Sequence, residues 1–189
     1  MSEIFISADI EADGKLVAVN SMLSLGSVAF TVDLAGYHQI STFEENLLEL
    51  PGAIRDVDVM EWWKGFPDSW KRIRENAEDP AIVMKRYLTW IKSLNSKCAL
   101  VADPAAYDFM WIYWYLLRFT GERPFGWSAL CARTYAMCML KEEGWVHFSK
   151  KSIPARFKSD HPHDHTPLND SIQQGQEFAA MYRENVLLK

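Results

Sequence analysis

The chain has few cysteines and no Cys-x-x-Cys pair: Cys98, Cys131 and Cys138 stand far apart and leave an odd number. That spacing suits reduced core thiols and argues against a disulfide framework or a cysteine-held zinc cluster. Basic excess is also missing, since the formal charge is -5; a protein that coats long nucleic acid by electrostatics alone carries the opposite sign. The longest wholly apolar run, "FMWIYWYLL" at 109–117, falls well short of the roughly 20 residues that span a bilayer. The N-terminal "MSEIFISADIEADG" has no basic segment, apolar stretch and small-residue cleavage site in succession, so a cytoplasmic protein with no membrane association is expected. No repeat, low-complexity tract or Pro/Gly/Ser-rich linker divides the chain, and 189 residues with 49% hydrophobic content can bury one full core. One domain over 1–189 is the expectation.

What is present begins with a strand pattern. Residues 3–10 alternate, which sets Ile4, Ile6, Ala8 and Ile10 on one face and Phe5, Ser7, Asp9 and Glu11 on the other. "ADGK" at 12–15 is turn chemistry, and 21–33 and 36–46 read as the second and third strands of a meander. Helical spacing follows: 56–65 and 68–77 as two short helices, then a longer one from Asp79 and Pro80, an acidic cap followed by a proline in the first helical position. "CALVADP" at 98–104 reads as a buried strand leading into a helix at 106–119, and "LCARTYAMCML" and the tail 170–186 complete the helical part. Strands first, then a strand among helices, predict an α/β layer with a mixed sheet.

Two acids ending an apolar strand need an explanation. Asp9 and Glu11 alone would suit the wet side of an edge strand. Asp108 lies in the apolar context "VADPAAYDFMW", where a carboxylate is costly unless it caps an element or binds a ligand. Asp170, in "HDHTPLND", is either a helix cap or part of a site, and His165, five residues earlier, is either a surface histidine or a functional one. As an ordered set they are Asp-x-Glu, a later Asp and His-x4-Asp: four carboxylates and one imidazole. Carboxylates and water are the ligands that Mg²⁺ or Mn²⁺ prefer.

In these residues the chain resembles the DEDDh, or ribonuclease T-like and DnaQ-like, 3'-5' exonucleases. The resemblance runs from "FISADIEADG" through "SMLSLGSVAF" and "DPAAYDFMWIYWYLLRFTG" to "HTPLNDSIQQGQEF". It implies a ribonuclease H-like mixed sheet flanked by helices and two Mg²⁺ or Mn²⁺ ions per active site. It further implies that Asp9 bridges both ions, that Glu11 and Asp170 complete the site holding the attacking water, and that Asp108 supports the second ion. His165, with an ordinary pKa near 6.5, is suited to accept the proton of that water. The expected substrates are single-stranded RNA or DNA 3' ends, released as nucleoside 5'-monophosphates. A module that binds nucleic acid without turnover, and a phosphodiesterase confined to dinucleotides or capped ends, are the alternatives.

Trp62 and Trp63 stand where related exonucleases carry an aromatic-bearing helix near the terminal base, and aromatic faces stack on bases without demanding a sequence; core packing is the competing role. The nearly all-apolar stretch 109–117 implies burial on every side or a subunit contact, and with the resemblance it suggests a homodimer. Lys141, Lys150, Lys151, Arg156 and Lys158 make 141–158 locally cationic. His161, His163 and His165 alternate on a proline-containing loop, weak spacing for a zinc site, so His161 and His163 are read as loop residues or phosphate neighbours. Two departures stand out: Ala12 and Asp13 follow Glu11 where many family members place a Thr that seats the 3' terminus, and Ser171 follows "ND" where "DDA" is frequent.

Overall fold

The alternation at the N-terminus is realised in full. In the computed structural model, which describes residues 3–188, β1 (Ile4–Ala12), β2 (Met22–Asp33) and β3 (Gly36–Asn46) form the antiparallel meander. Asp33 closes the β2–β3 hairpin by accepting from the backbone N–H groups of Ala35 and Gly36 at 2.7 and 3.1 Å. The short apolar strand β4 (Cys98–Ala102) lies parallel to β1 and carries β5 (Leu130–Cys131) on its far side, so the sheet runs β3-β2-β1-β4-β5. β1 is therefore central and covered on both faces.

One face receives Ile6, Ala8 and Ile10 together with α3 (Pro80–Ser93) and α4 (Ala105–Thr120), through Tyr87, Trp111 and Tyr115. Asp79 caps α3 as expected, accepting from Ala81 N–H at 2.7 Å. The opposite face packs Phe5, Val28 and Phe30 against Phe178 of α6 (Pro167–Tyr182). Two short helices, α1 (Val57–Trp63) and α2 (Pro67–Arg72), follow the meander, and α5 (Ala132–Leu140) follows β5. No helix among the described residues is long and apolar enough to cross a membrane.

Three boundaries differ from the sequence reading. Leu130 and Cys131 pair with β4 before α5 begins; two residues are too few for a period to show. α2 ends at Arg72 and gives way to a turn in which Asn76 is left-handed at φ 52°. α6 starts at Pro167, placing Asp170 inside its first turn rather than at its cap. The all-apolar stretch in α4 is only partly buried within the chain: Trp111, Ile112, Tyr115 and Leu116 enter the core and Tyr113 packs on Trp127, while Met110 and Leu117 stay exposed.

α6 can lie this close to the sheet because β2 has Gly26 under its N-terminus. A Cβ there would stand 2.2 Å from backbone atoms of both Pro167 and Leu168. Gly26 is also the register partner of Asp9. The missing side chain thus sets Asp170 beside the acids of β1.

Candidate active site

Asp9 and Glu11 project from the α6 side of β1, as their parity requires, and remain partly accessible while Ala8, Ile10 and Ala12 beside them are buried. Asp170, 5% exposed, comes to them from the first turn of α6. One carboxylate oxygen from each of the three lies within 4.8 Å of the others. Gln174, one turn further along α6, holds the helix to the sheet by donating to Ser7 Oγ at 2.8 Å and to the carbonyls of Val101 and Ala8 at 3.2 and 3.3 Å. This buried amide clamp was not legible in the sequence.

Asp108 approaches from the first turn of α4 and is 3% exposed. It lies outside the 4.8 Å triad, yet its charge acts on both Asp9 and Glu11. Burial first, and then repulsion from Asp108, Glu11 and Asp170, holds the Asp9 carboxyl well above the usual carboxylate range. Glu11 is raised by burial, Asp170 and Asp108. Asp108 is pushed up to about 7 by burial, against the opposing pull of the Ile10 backbone N–H and the Lys150 cation. Asp9, Glu11 and Asp108, which burial and neighbouring charge disfavour as anions, make with Asp170 an oxygen donor set suited to hard divalent cations, and Asp9, Glu11 and Asp170 already converge as ligands would. The residues present fit the implied metal.

His165 sits on the loop before α6 with left-handed backbone, φ 57°. Its ring packs edge-on against Phe66 and Trp62 at centroid distances of 4.3 and 5.0 Å. Burial lowers its pKa, and the Asp170 charge acts in the opposite sense. Asp164 holds the loop in place: its carboxylate accepts from Thr166 Oγ1, from Asn169 Nδ2 and from Arg72 Nη1 at 3.3 Å, while its carbonyl accepts from Ser69 Oγ at 2.6 Å. Its own N–H donates to Asp170 Oδ1 at 3.1 Å. One residue therefore orients both histidine loop and helix carboxylate.

The tryptophan pair separates. Trp62 is 45% exposed on the rim beside His165, whereas Trp63 is 2% exposed and donates its Nε1–H to the Ala12 carbonyl at 3.1 Å. Trp63 cannot offer a face to a base; it ties α1 to the end of β1. Asp13 is likewise internal, accepting from Ser21 N–H at 2.6 Å, so the departure after Glu11 is a structural brace and not an extra acid facing substrate. In the cationic segment, Arg156 pairs with Glu184 and Lys158 lies near Glu177, while the half-buried Lys150 acts electrostatically on Asp9, Asp108 and His165. Tyr107, unremarked in the sequence, also adjoins the acids, whose charges help raise its pKa.

Carboxylates gathered around a central strand, with a histidine on the loop before the last long helix, make a donor set that fits a divalent metal on a mixed α/β sheet. No protein-family model matches the chain. The 3'-5' DNA exonuclease Cap18 of Escherichia coli is 26% identical over 182 residues, 93% of this chain and 90% of that protein. The nuclease domain of 3'hExo, described as a DEDDh family member bound to rAMP, is similar with a TM-score of 0.65 at 12% identity, over 98% of this chain and 94% of that one. The zinc-bound form of E. coli exonuclease I with single-stranded DNA gives a TM-score of 0.67 at 13% identity over 98% of this chain; the chain spans only 41% of that protein. The fold is the ribonuclease H-like one, and the resemblance to the DEDDh 3'-5' exonucleases is borne out by the similarity to Cap18 and the fold together.

Proposed function

We propose that the chain, acting as one domain over 1–189, is a cytoplasmic two-metal 3'-5' exonuclease that trims single-stranded 3' ends to nucleoside 5'-monophosphates. The observation that carries this reading is the convergence of Asp9, Glu11 and Asp170 within 4.8 Å, with Asp108 and His165 beside them. Asp9, Glu11 and Asp170 would hold one Mg²⁺ or Mn²⁺, and Asp9 with Asp108 the other. Bound cations would neutralise charge on the phosphoryl and leaving oxygens and acidify the attacking water.

The protein's own groups do the rest. His165, kept neutral near pH 7 by its lowered pKa, accepts the proton of the attacking water. Trp62 stacks on the terminal base, and Lys150 offers its charge to the scissile phosphate. The E. coli relative is named a DNA exonuclease, which makes single-stranded DNA the first substrate and RNA the comparison. A homodimer remains part of the proposal through the resemblance, and the exposed Met110 and Leu117 of α4 leave apolar surface on that helix.

The test uses 5'-labelled single-stranded DNA and RNA of one sequence, with Mn²⁺, with chelator, and with Asp9→Asn. A ladder shortening from the 3' end only with metal and intact Asp9 is expected, and the faster ladder identifies the preferred sugar. Shortening in chelator, or by Asp9→Asn at the wild-type rate, overturns the reading.

A further inference from the structure

The second histidine of the loop is not used by the chemistry above, yet it is aimed at the same carboxylate. His163 Nδ1 lies 3.1 Å from Asp170 Oδ2. One ligand atom from each of His163, His165 and Asp170 falls within 4.8 Å of the others. His161 turns elsewhere, its Nε2 3.3 Å from Asn169 Oδ1. The histidines at 163 and 165 thus form a nitrogen-rich triad with Asp170, overlapping the all-oxygen triad of Asp9, Glu11 and Asp170.

We infer that His163, His165 and Asp170 form a second metal site, selective for Zn²⁺ and similar borderline cations, that switches the exonuclease off. Two imidazoles and one carboxylate are the donors of many four-coordinate zinc sites, with an open fourth position, whereas Mg²⁺ takes oxygen ligands. With zinc-to-nitrogen bonds of about 2.0 to 2.1 Å, tetrahedral ligands stand about 3.3 Å apart. The His163–Asp170 pair already has that spacing. His165 has to close by about 1.5 Å at most, within reach of a side-chain adjustment. The remaining Asp170 oxygen is oriented by Asp164 N–H, the kind of outer support that steadies a metal ligand. The His163 side chain is 43% exposed, which gives the ion a route in.

Because Asp170 belongs to both triads, the two occupancies compete. Zinc on the nitrogen-rich triad would also occupy the lone pair that His165 needs to accept a proton. The inhibitory consequence rests on the proposed exonuclease reading; the metal site itself does not.

The test is direct titration of the full chain with Co²⁺, without nucleic acid. Intense visible absorption of four-coordinate Co²⁺ is expected, lost when Zn²⁺ is added. In His163→Gln the affinity read from that band should fall by about 10-fold or more, while His161→Gln keeps it. No intense band, or the same band in His163→Gln, overturns the site. In a 3'-trimming assay at saturating Mg²⁺, the Zn²⁺ concentration for half-inhibition should rise by about 10-fold or more in His163→Gln, measured against that variant's own uninhibited rate. An unchanged value overturns the inhibitory role. A His163-dependent band in a protein that trims no end would uphold the site and sink the exonuclease reading.

Discussion

At the scale of single residues, His165 and the two tryptophans make the sharpest expectations. Burial lowers the His165 pKa, so the neutral, proton-accepting ring persists below pH 6.5, and activity falls only as acid protonates it below that point. His165→Gln should lower turnover by about 10²- to 10⁴-fold and remove the His165 contribution to the acid limb, read from a kcat/KM profile in buffered Mn²⁺. A wild-type profile in the variant would rule out the assignment. Trp62→Ala should raise KM by roughly 10-fold, since a base stacked on an aromatic ring contributes about 1 to 3 kcal/mol, with little change in melting temperature. Trp63→Ala should instead destabilise the fold by about 3 to 5 kcal/mol, seen in urea unfolding. Adjacent in sequence, the two differ because α1 turns one ring outward and the other toward Ala12.

At the scale of elements, the decisive contact is α6 on β2. Gly26→Ala would drive a methyl into backbone of Pro167 and Leu168, atoms that can yield only by moving the helix start. The expected cost is about 1 to 3 kcal/mol or more, together with weaker Mn²⁺ binding, because Asp170 would leave the acids of β1; calorimetry reads both. Retained metal affinity at lowered stability would show that Asp170 is not set by this approach. The elements themselves were largely legible: the two-residue period of β1, the Asp79–Pro80 start of α3 and the proline stop after β4 are local signals. β5 was not, because its two residues become a strand only by pairing with Val101 and Ala102.

For the whole molecule, the acid cluster makes stability depend on pH and metal together. An acid whose pKa is raised in the folded chain binds its proton more tightly there than in the unfolded chain, so its contribution to stability is present at low pH and is lost as pH rises. For Asp108 that loss runs from the ordinary carboxylate range up to about 7, with Asp9 and Glu11 acting in the same direction. In chelator, the melting temperature should therefore fall from pH 5 to pH 8 on account of these groups. Mg²⁺ should restore it near pH 8, and Asp108→Asn should flatten the fall and weaken the metal response. A metal-free chain whose stability does not decline over that interval would contradict the raised carboxyl pKa values that burial, first, and then neighbouring charge produce.

The sequence by itself determined the parity that puts Asp9 and Glu11 on one face, the order of the acids and histidine, and the succession of strands and helices, because all of these depend on neighbours a few residues apart. Only the tertiary structure decided which tryptophan is open, that Asp13 is a brace, that the Lys150 charge acts on the acids, and that His163 shares Asp170 with His165. Those outcomes depend on groups distant in the chain meeting across the sheet, above all where Gly26 lets α6 descend onto β2, and no local periodicity carries such a meeting.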